Sequence, residues 1–273
     1  MDCSSGTSGS GSVEDRLRGA LLGLAAGDKI GGPLQMALIL AESLGERSRF
    51  DAGDYGRRLL DWHSLGSFDT GPIAEAVFAR AASGVPFQTA ACLVHSRFRT
   101  MTAGCNPAHR CAPLGMALCV PASELEAAAR EQASMTHAHP LAGDAAAAVA
   151  LLIRALISSD CWAAALAGLG PQLLPAHSPR EGLDAGGFSP HVLHAALHFV
   201  SGAASFDGAL DAAVSFAGAA NYCPVLVGAL AGARWGASAV PPAALAHCSR
   251  ADLDRVDRAA VVLLAQWTPR GSG

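Results

Sequence analysis

Apolar residues recur along this chain at the spacing of an α-helix and almost nowhere at the spacing of a strand. Leu34, Ala37, Leu38, Ala41 and Leu44 stand at i, i+3, i+4, i+7 and i+10, an apolar stripe that also carries Glu42. Ser123 followed by Glu126 predicts a capping box that opens a helix over 124–132. Asp144 stands ahead of the apolar run from Ala145 to Ile157, where the positive end of a helix favours an acid. Ser249 with Asp252 predicts the cap of a last helix running towards Ala265. Alternating β-branched and aromatic residues over four to eight positions are hard to find. Alanine fills about a fifth of the 273 residues, and small side chains let helix axes approach closely. The expectation is therefore all-α: one compact domain over 13–267. A flexible Ser/Gly-rich tail is expected at 1–12 and a short one at 268–273. Gly168 to Gly187, with Pro171, Pro175 and Pro179, reads as a loop excursion.

The thin polar coat excludes several functions. Charged residues make up 15% of the chain, against roughly 25% in ordinary domains. Lys29 is the only lysine. A net charge of −4 gives no basic field for a phosphate backbone, so nucleic acid is not an expected partner. Ala145 to Ile157 is the most apolar run, but it is too short to span a bilayer and holds Arg154, so no membrane partner is expected either. Met1 to Ser12 has no apolar segment of the secretory kind. The eight cysteines form no CxxC pair and sit mostly among apolar neighbours. That usage suits buried small hydrophobes in a reducing compartment, and the cytoplasm is the expected location.

With polar residues so scarce, the clusters in the loops stand out. In Gly27-Asp28-Lys29-Ile30-Gly31-Gly32-Pro33, Gly31 and Gly32 allow close backbone approach, and the amides ahead of the next helix can face an anion. Lys29 beside Asp28 is read either as a supplier of positive charge or as a solvated surface lysine. In Ser67-Phe68-Asp69-Thr70-Gly71-Pro72, Asp69 and Thr70 are read either as site residues or as caps of the next helix. Asn106, His109 and Arg110 bring an amide, an imidazole and a guanidinium into one short turn, a kit suited to phosphate and ribose hydroxyls. His137 and His139 are two apart and would point the same way on an extended loop. As a metal pair they lack the third and fourth ligands that zinc needs. Asn221 is the polar residue in a bland run, followed by Tyr222 and an apolar helix with Gly228, Gly232 and Gly236 at every fourth position. Those glycines read as close helix packing. His191, His194 and His198 share one helix face, read as a partly exposed stripe.

In this order, the clusters resemble the ADP-ribosylglycohydrolase family, which includes the dinitrogenase-reductase-activating glycohydrolases and the J1 crystallins. The resemblance rests on Arg18 to Asp28 (R-G-A-L-L-G-L-A-A-G-D) with Gly31, on Gln35 to Leu44 (Q-M-A-L-I-L-A-E-S-L), and on Arg110 to Leu114 (R-C-A-P-L). It extends to Thr136 to Pro140 (T-H-A-H-P) and Gly228 to Gly236 (G-A-L-A-G-A-R-W-G). It covers residues 16 to about 245 and implies an orthogonally packed all-α domain.

The resemblance also implies hydrolysis of a glycosidic bond to ADP-ribose by two magnesium ions, held by a T-D-D-T cluster before Q-M-A and a D-x-D near the glycine helix. The chain departs at both places: Gly31-Gly32-Pro33-Leu34 precede Gln35, and Ala219-Ala220-Asn221 stand in place of D-x-D. Magnesium demands hard anionic oxygens, so the expectation is no metal ligand and no cofactor. The reading that follows is an ADP-ribose or nucleoside-type cleft with altered or lost dimagnesium hydrolysis. In it Asp28, Asp69, His109 and His137 are the candidate acid–base groups. Lys29, Gly31, Gly32, Thr70, Asn106, Arg110, Asn221 and Tyr222 are the candidate ligand contacts. Two rivals stand beside it: a non-catalytic structural or interaction protein of the J1 crystallin kind, and a metal-independent N-glycoside hydrolase.

Overall fold

A computed structural model describes residues 11–159, 161–173 and 182–267. Among them the chain runs through α1 (Val13–Gly27), α2 (Gly32–Arg47), α3 (Ala52–Ser64), α4 (Gly71–Ala82), α5 (Phe87–Arg97), α6 (Asn106–Arg110) and α7 (Ala112–Met116). It continues through α8 (Ala122–Ser134), α9 (Pro140–Ser158), α10 (Trp162–Ala167), α11 (Ser189–Gly202), α12 (Phe206–Ala217), α13 (Cys223–Trp235) and α14 (Arg250–Leu264). The described part contains no strand; a single bridge pairs Gly104 with Phe188. The terminal tails, apart from Gly11 and Ser12, lie outside the described residues, as does 174–181 within the predicted loop excursion. Ser12 belongs with the domain, since its hydroxyl accepts from Asp15 N and caps α1.

Glycine spacing explains the innermost layer. α1 carries Gly19, Gly23 and Gly27, and α13 carries Gly228 and Gly232, each set four residues apart. A Cβ on Gly23 would collide with the Gly228 carbonyl, and one on Gly19 with the Gly232 carbonyl, well inside the 3.0 Å that real Cβ atoms keep. The two backbones therefore touch, and only glycine allows that approach. The packing expected of the α13 glycines is present, and its partner is α1.

α9 is the other central element. With 19 residues and a mean hydropathy of 1.8 it is long and apolar enough to cross a membrane, which corrects the length expected from Ala145 to Ile157. Here it is a core helix with two-thirds of its span buried inside the protein. Arg154 does not interrupt it: its guanidinium donates to the carbonyls of Leu114, Gly115, Ala117 and Val120, which satisfies the open end of α7.

Two predicted helix starts shift. α8 begins at Ala122, one residue before Ser123, so Ser123 lies inside the first turn and Pro121 holds the cap position. Glu126 pairs with Arg130 instead of closing a capping box. α9 begins at Pro140, capped by His139 Nδ1 accepting from Leu141 N, because proline is preset for the first turn. Asp144 then sits in the second turn and pairs with Arg130. Ser249 caps α14 as its spacing implies.

Candidate functional site

The loops that join these helices meet at one cleft of about 240 Å³. Asp69 and Thr70 enter from the turn before α4, Asn106 and His109 from α6, and His137 from the link between α8 and α9. Asn221 and Tyr222 enter from the turn before α13. Gly104 and Gly187 complete one wall. Cys105 N donates to Gly187 O (3.1 Å) and Ser189 N to Ala103 O (2.8 Å), which pins the end of the Gly168 to Gly187 excursion against the cleft.

Neither Asp69 nor Thr70 caps α4. Thr70 sits at the cap position without a side-chain cap bond, and its hydroxyl donates to Glu75 (2.9 Å). Its carbonyl accepts from Asn106 Nδ2 (3.0 Å). Asp69 adopts φ 52°, the left-handed region that Asp tolerates better than most residues, and its carboxylate turns to Asn221. Asn221 Nδ2 donates to Asp28 Oδ1 (2.8 Å) and Asp69 Oδ2 (3.2 Å), so one amide bridges two carboxylates. Burial, followed by the charge of Asp28, raises the Asp69 pKa above the ordinary carboxylate value.

Asp28 itself is 1% exposed and stands behind the cleft wall. Its oxygens accept from Gly31 N and Leu34 N (2.8 Å each), from Ile30 N (3.3 Å) and from Asn221. That carboxylate anchors the start of α2. Gly31 takes φ 103° as the cap residue of α2. A Cβ on Gly32 would meet the Phe68 carbonyl and the Asp69 side chain inside 3.0 Å, so this glycine lets the Asp69 turn close in. Lys29 is exposed and lies off the lining.

Arg110 is also off the lining and fully buried. Its guanidinium donates to Gln132 Oε1 (2.9 Å), Gln132 O (3.1 Å), Thr136 Oγ1 (2.8 Å) and Asn106 Oδ1 (3.0 Å). Thr136 Oγ1 lies 2.9 Å from His137 Nδ1. That hydroxyl accepts from Arg110 and has both a proton and a second lone pair for Nδ1, and His137 Nε2 faces Gly104 in the cleft. Arg110 thus holds Asn106 directly and His137 through Thr136.

His109 is 3% exposed, and among the described residues its buried Nε2 makes no well-formed hydrogen bond, although the Tyr222 backbone lies close enough to act on the ring. His137 and His139 do not share a site: His137 lines the cleft, whereas His139 caps α9 and packs edge-on against His95. Sequence reasoning missed Cys105, a lining residue whose thiol is pushed up by burial and is no ready nucleophile. Its place directly before Asn106, in the turn that carries the other candidates, is the signal that could have found it. The stripe of His191, His194 and His198 is partly exposed, with a carboxylate from the loop, Asp184, on His191 (2.8 Å).

Burial holds both cleft imidazoles neutral, His109 down to about 4 and His137 down to about 3 from 6.5. Because the folded values are depressed, the stability they contribute is complete above pH 6.5. It declines as pH falls towards 4, where the unfolded chain takes up protons that the folded one refuses. Each histidine should contribute roughly 1.4 kcal/mol per pH unit in that window. His139 and His194 shift the same way. Urea midpoints should therefore fall between pH 7 and pH 5, with a shallower slope for His137→Gln. A flat midpoint would show that the imidazoles are not held neutral.

Fold and cleft together place the chain among all-α proteins that build one cleft, mostly apolar with a few polar groups, from the loops between their core helices. The ADP-ribosylglycohydrolase family profile matches residues 33–271, and the chain belongs to the ADP-ribosylglycohydrolase family. A solved structure described as an ADP-ribosylglycohydrolase-related protein complex is similar at a TM-score of 0.76 and 26% sequence identity, over 94% of this chain and 99% of that one. Among curated proteins none matches.

The resemblance implies magnesium ligands at two stretches, and few side-chain oxygens stand there. Gly31 to Leu34 offer no side-chain oxygen, Ala219 and Ala220 none, and the Asp28 oxygens are occupied by N–H donors. Among the described residues, no group of three or more His, Cys, Asp or Glu side chains is placed to hold a metal.

Proposed function

We propose that this cleft binds the ribosyl part of an ADP-ribose-like or nucleoside-type ligand, and that the family's dimagnesium hydrolysis is altered or lost in this chain. The observation that carries the reading is the convergence of Asp69, Asn106, His109, His137 and Asn221 on one cleft, where among the described residues the buried Nε2 of His109 makes no well-formed hydrogen bond. A buried polar atom without a partner is costly, and a ligand hydroxyl at that place would satisfy it. A purely structural protein would be expected to fill such a cleft with side chains.

Titration calorimetry with ADP-ribose and with adenosine, each with and without magnesium, tests this. Binding of at least one ligand, insensitive to magnesium and weakened about tenfold or more in Asn106→Ala, is the expected result, on the scale of one or two lost hydrogen bonds. Magnesium-dependent turnover of an ADP-ribosylated substrate would overturn the loss of metal chemistry, and absence of binding would favour the structural role. The raised pKa of Asp69 favours a second reading, metal-independent hydrolysis of an N-glycoside with Asp69 as the acid–base group. In that case Asp69→Asn would abolish turnover of the riboside.

A further inference from the structure

We infer that the cleft selects a riboside without phosphate groups and discriminates against a nucleoside diphosphate. The inference rests on the proposal that this is a ribosyl site and specifies its ligand class. A diphosphate needs cations or free N–H donors at close range, usually Arg or Lys. Among the described residues no Arg or Lys lines the cleft. Arg110, the nearest guanidinium by sequence, is turned away and occupied by Gln132, Thr136 and Asn106.

Among the described residues, the one carboxylate that lines the cleft makes its charge negative. Asp69 lines it, and Asn221 ties Asp69 to the buried carboxylate of Asp28. Both lining imidazoles are neutral at pH 7 and supply single N–H or lone-pair contacts of the kind a sugar hydroxyl accepts.

Three of the longer helices, α2, α4 and α13, begin at the cleft beside the short α6, and helix starts ordinarily favour anions. Here each has proline as its second residue, Pro33, Pro72 and Pro224, which removes one N–H donor from every first turn. At α2 the N–H groups of Gly31 and Leu34 are already taken by Asp28. Size points the same way. At about 240 Å³ the cleft is smaller than the roughly 300–1,000 Å³ of sites for drug-sized ligands. Tyr222, 41% exposed at the wall, presents a ring on which a base can stack.

The test is titration calorimetry of the intact chain at neutral pH without magnesium, using adenosine and ADP-ribose as probes. Adenosine should bind at least about tenfold more tightly, and Asp69→Asn should narrow the gap by strengthening ADP-ribose. Should Asp69→Asn fail to fold, a salt series reads the same repulsion: added salt should strengthen ADP-ribose and leave adenosine unchanged. Equal or tighter binding of ADP-ribose overturns this inference while leaving the ribosyl site standing. Tight ADP-ribose binding that is lost in Arg180→Ala, a residue outside the described part, overturns it as well. Binding of neither probe overturns both. A preference for adenosine that neither Asp69→Asn nor salt alters overturns its electrostatic basis.

Discussion

Gly23→Ala is expected to be among the most damaging single-methyl changes in this protein. The added Cβ meets the Gly228 carbonyl, and behind that carbonyl lies the Gly232 Cα, so no side chain can swing aside to make room. Relief requires α1 and α13 to separate along their whole seam, because Gly19 against Gly232 and Gly27 against the Pro224 carbonyl are equally tight. Overpacking of this kind costs about 3 kcal/mol or more when the obstacle is backbone. That corresponds to a fall of roughly 6–12 °C in the thermal midpoint for a domain of this size. Gly23→Val should prevent folding. The control is Gly202→Ala at the end of α11, where an added Cβ meets nothing within 4 Å. That change should be neutral or stabilising by up to about 1 kcal/mol, through helix propensity and a less flexible unfolded chain. Thermal unfolding followed by circular dichroism measures both. Equal midpoints for Gly23→Ala and Gly202→Ala would show that the seam is not backbone to backbone.

This seam also shows what a sequence can and cannot reveal. The four-residue glycine spacing marks Gly228 and Gly232 as a close-packing face, and Gly19, Gly23 and Gly27 carry the same spacing. Nothing local says that these faces meet about 200 residues apart, because the pairing is a property of the folded core. The same holds for the cleft. Residue type picked out Asp69, Asn106, His109, His137, Asn221 and Tyr222, and the structure places them on one wall or another of it. Residue type alone does not say which way a side chain faces. Asp28 and Arg110 look like chemistry in the sequence, yet Asp28 holds the start of α2 and Arg110 holds its neighbours. Ser123 and Asp144 failed as start signals because Pro121 and Pro140, with their fixed φ, decide where α8 and α9 begin.

Arg110 carries the second large effect. Its charge is fully buried, and its hydrogen-bond partners are neutral: Gln132, Thr136, Asn106 and, more weakly, the Met36 sulfur at 3.7 Å. Two terms compete when it is removed. Relief of an unfavourable buried charge favours the variant; leaving four buried oxygens without a donor, beside a cavity, opposes it. Hydrogen bonds to a charged group are worth about 1.5–3 kcal/mol each, and several are lost together, so the second term wins. Arg110→Ala should cost on the order of 4 kcal/mol, since it also leaves a cavity. Arg110→Met restores much of the volume and should cost about half as much, whereas Arg110→Lys keeps a charge that three N–H donors on one nitrogen cannot spread over the same partners. Denaturant unfolding at neutral pH ranks the three. Stability alone would not separate a positioning role from a structural one, so the imidazole nitrogens of His137 supply the second readout. Without Arg110 holding it, the Thr136 hydroxyl is free to turn, which alters its contact with His137 Nδ1 and so the sharing of the hydrogen between Nδ1 and Nε2. Nitrogen chemical shifts in Arg110→Met should report that change. A variant within about 0.5 kcal/mol of the parent, with the His137 shifts unmoved, would remove Arg110 from the control of the cleft.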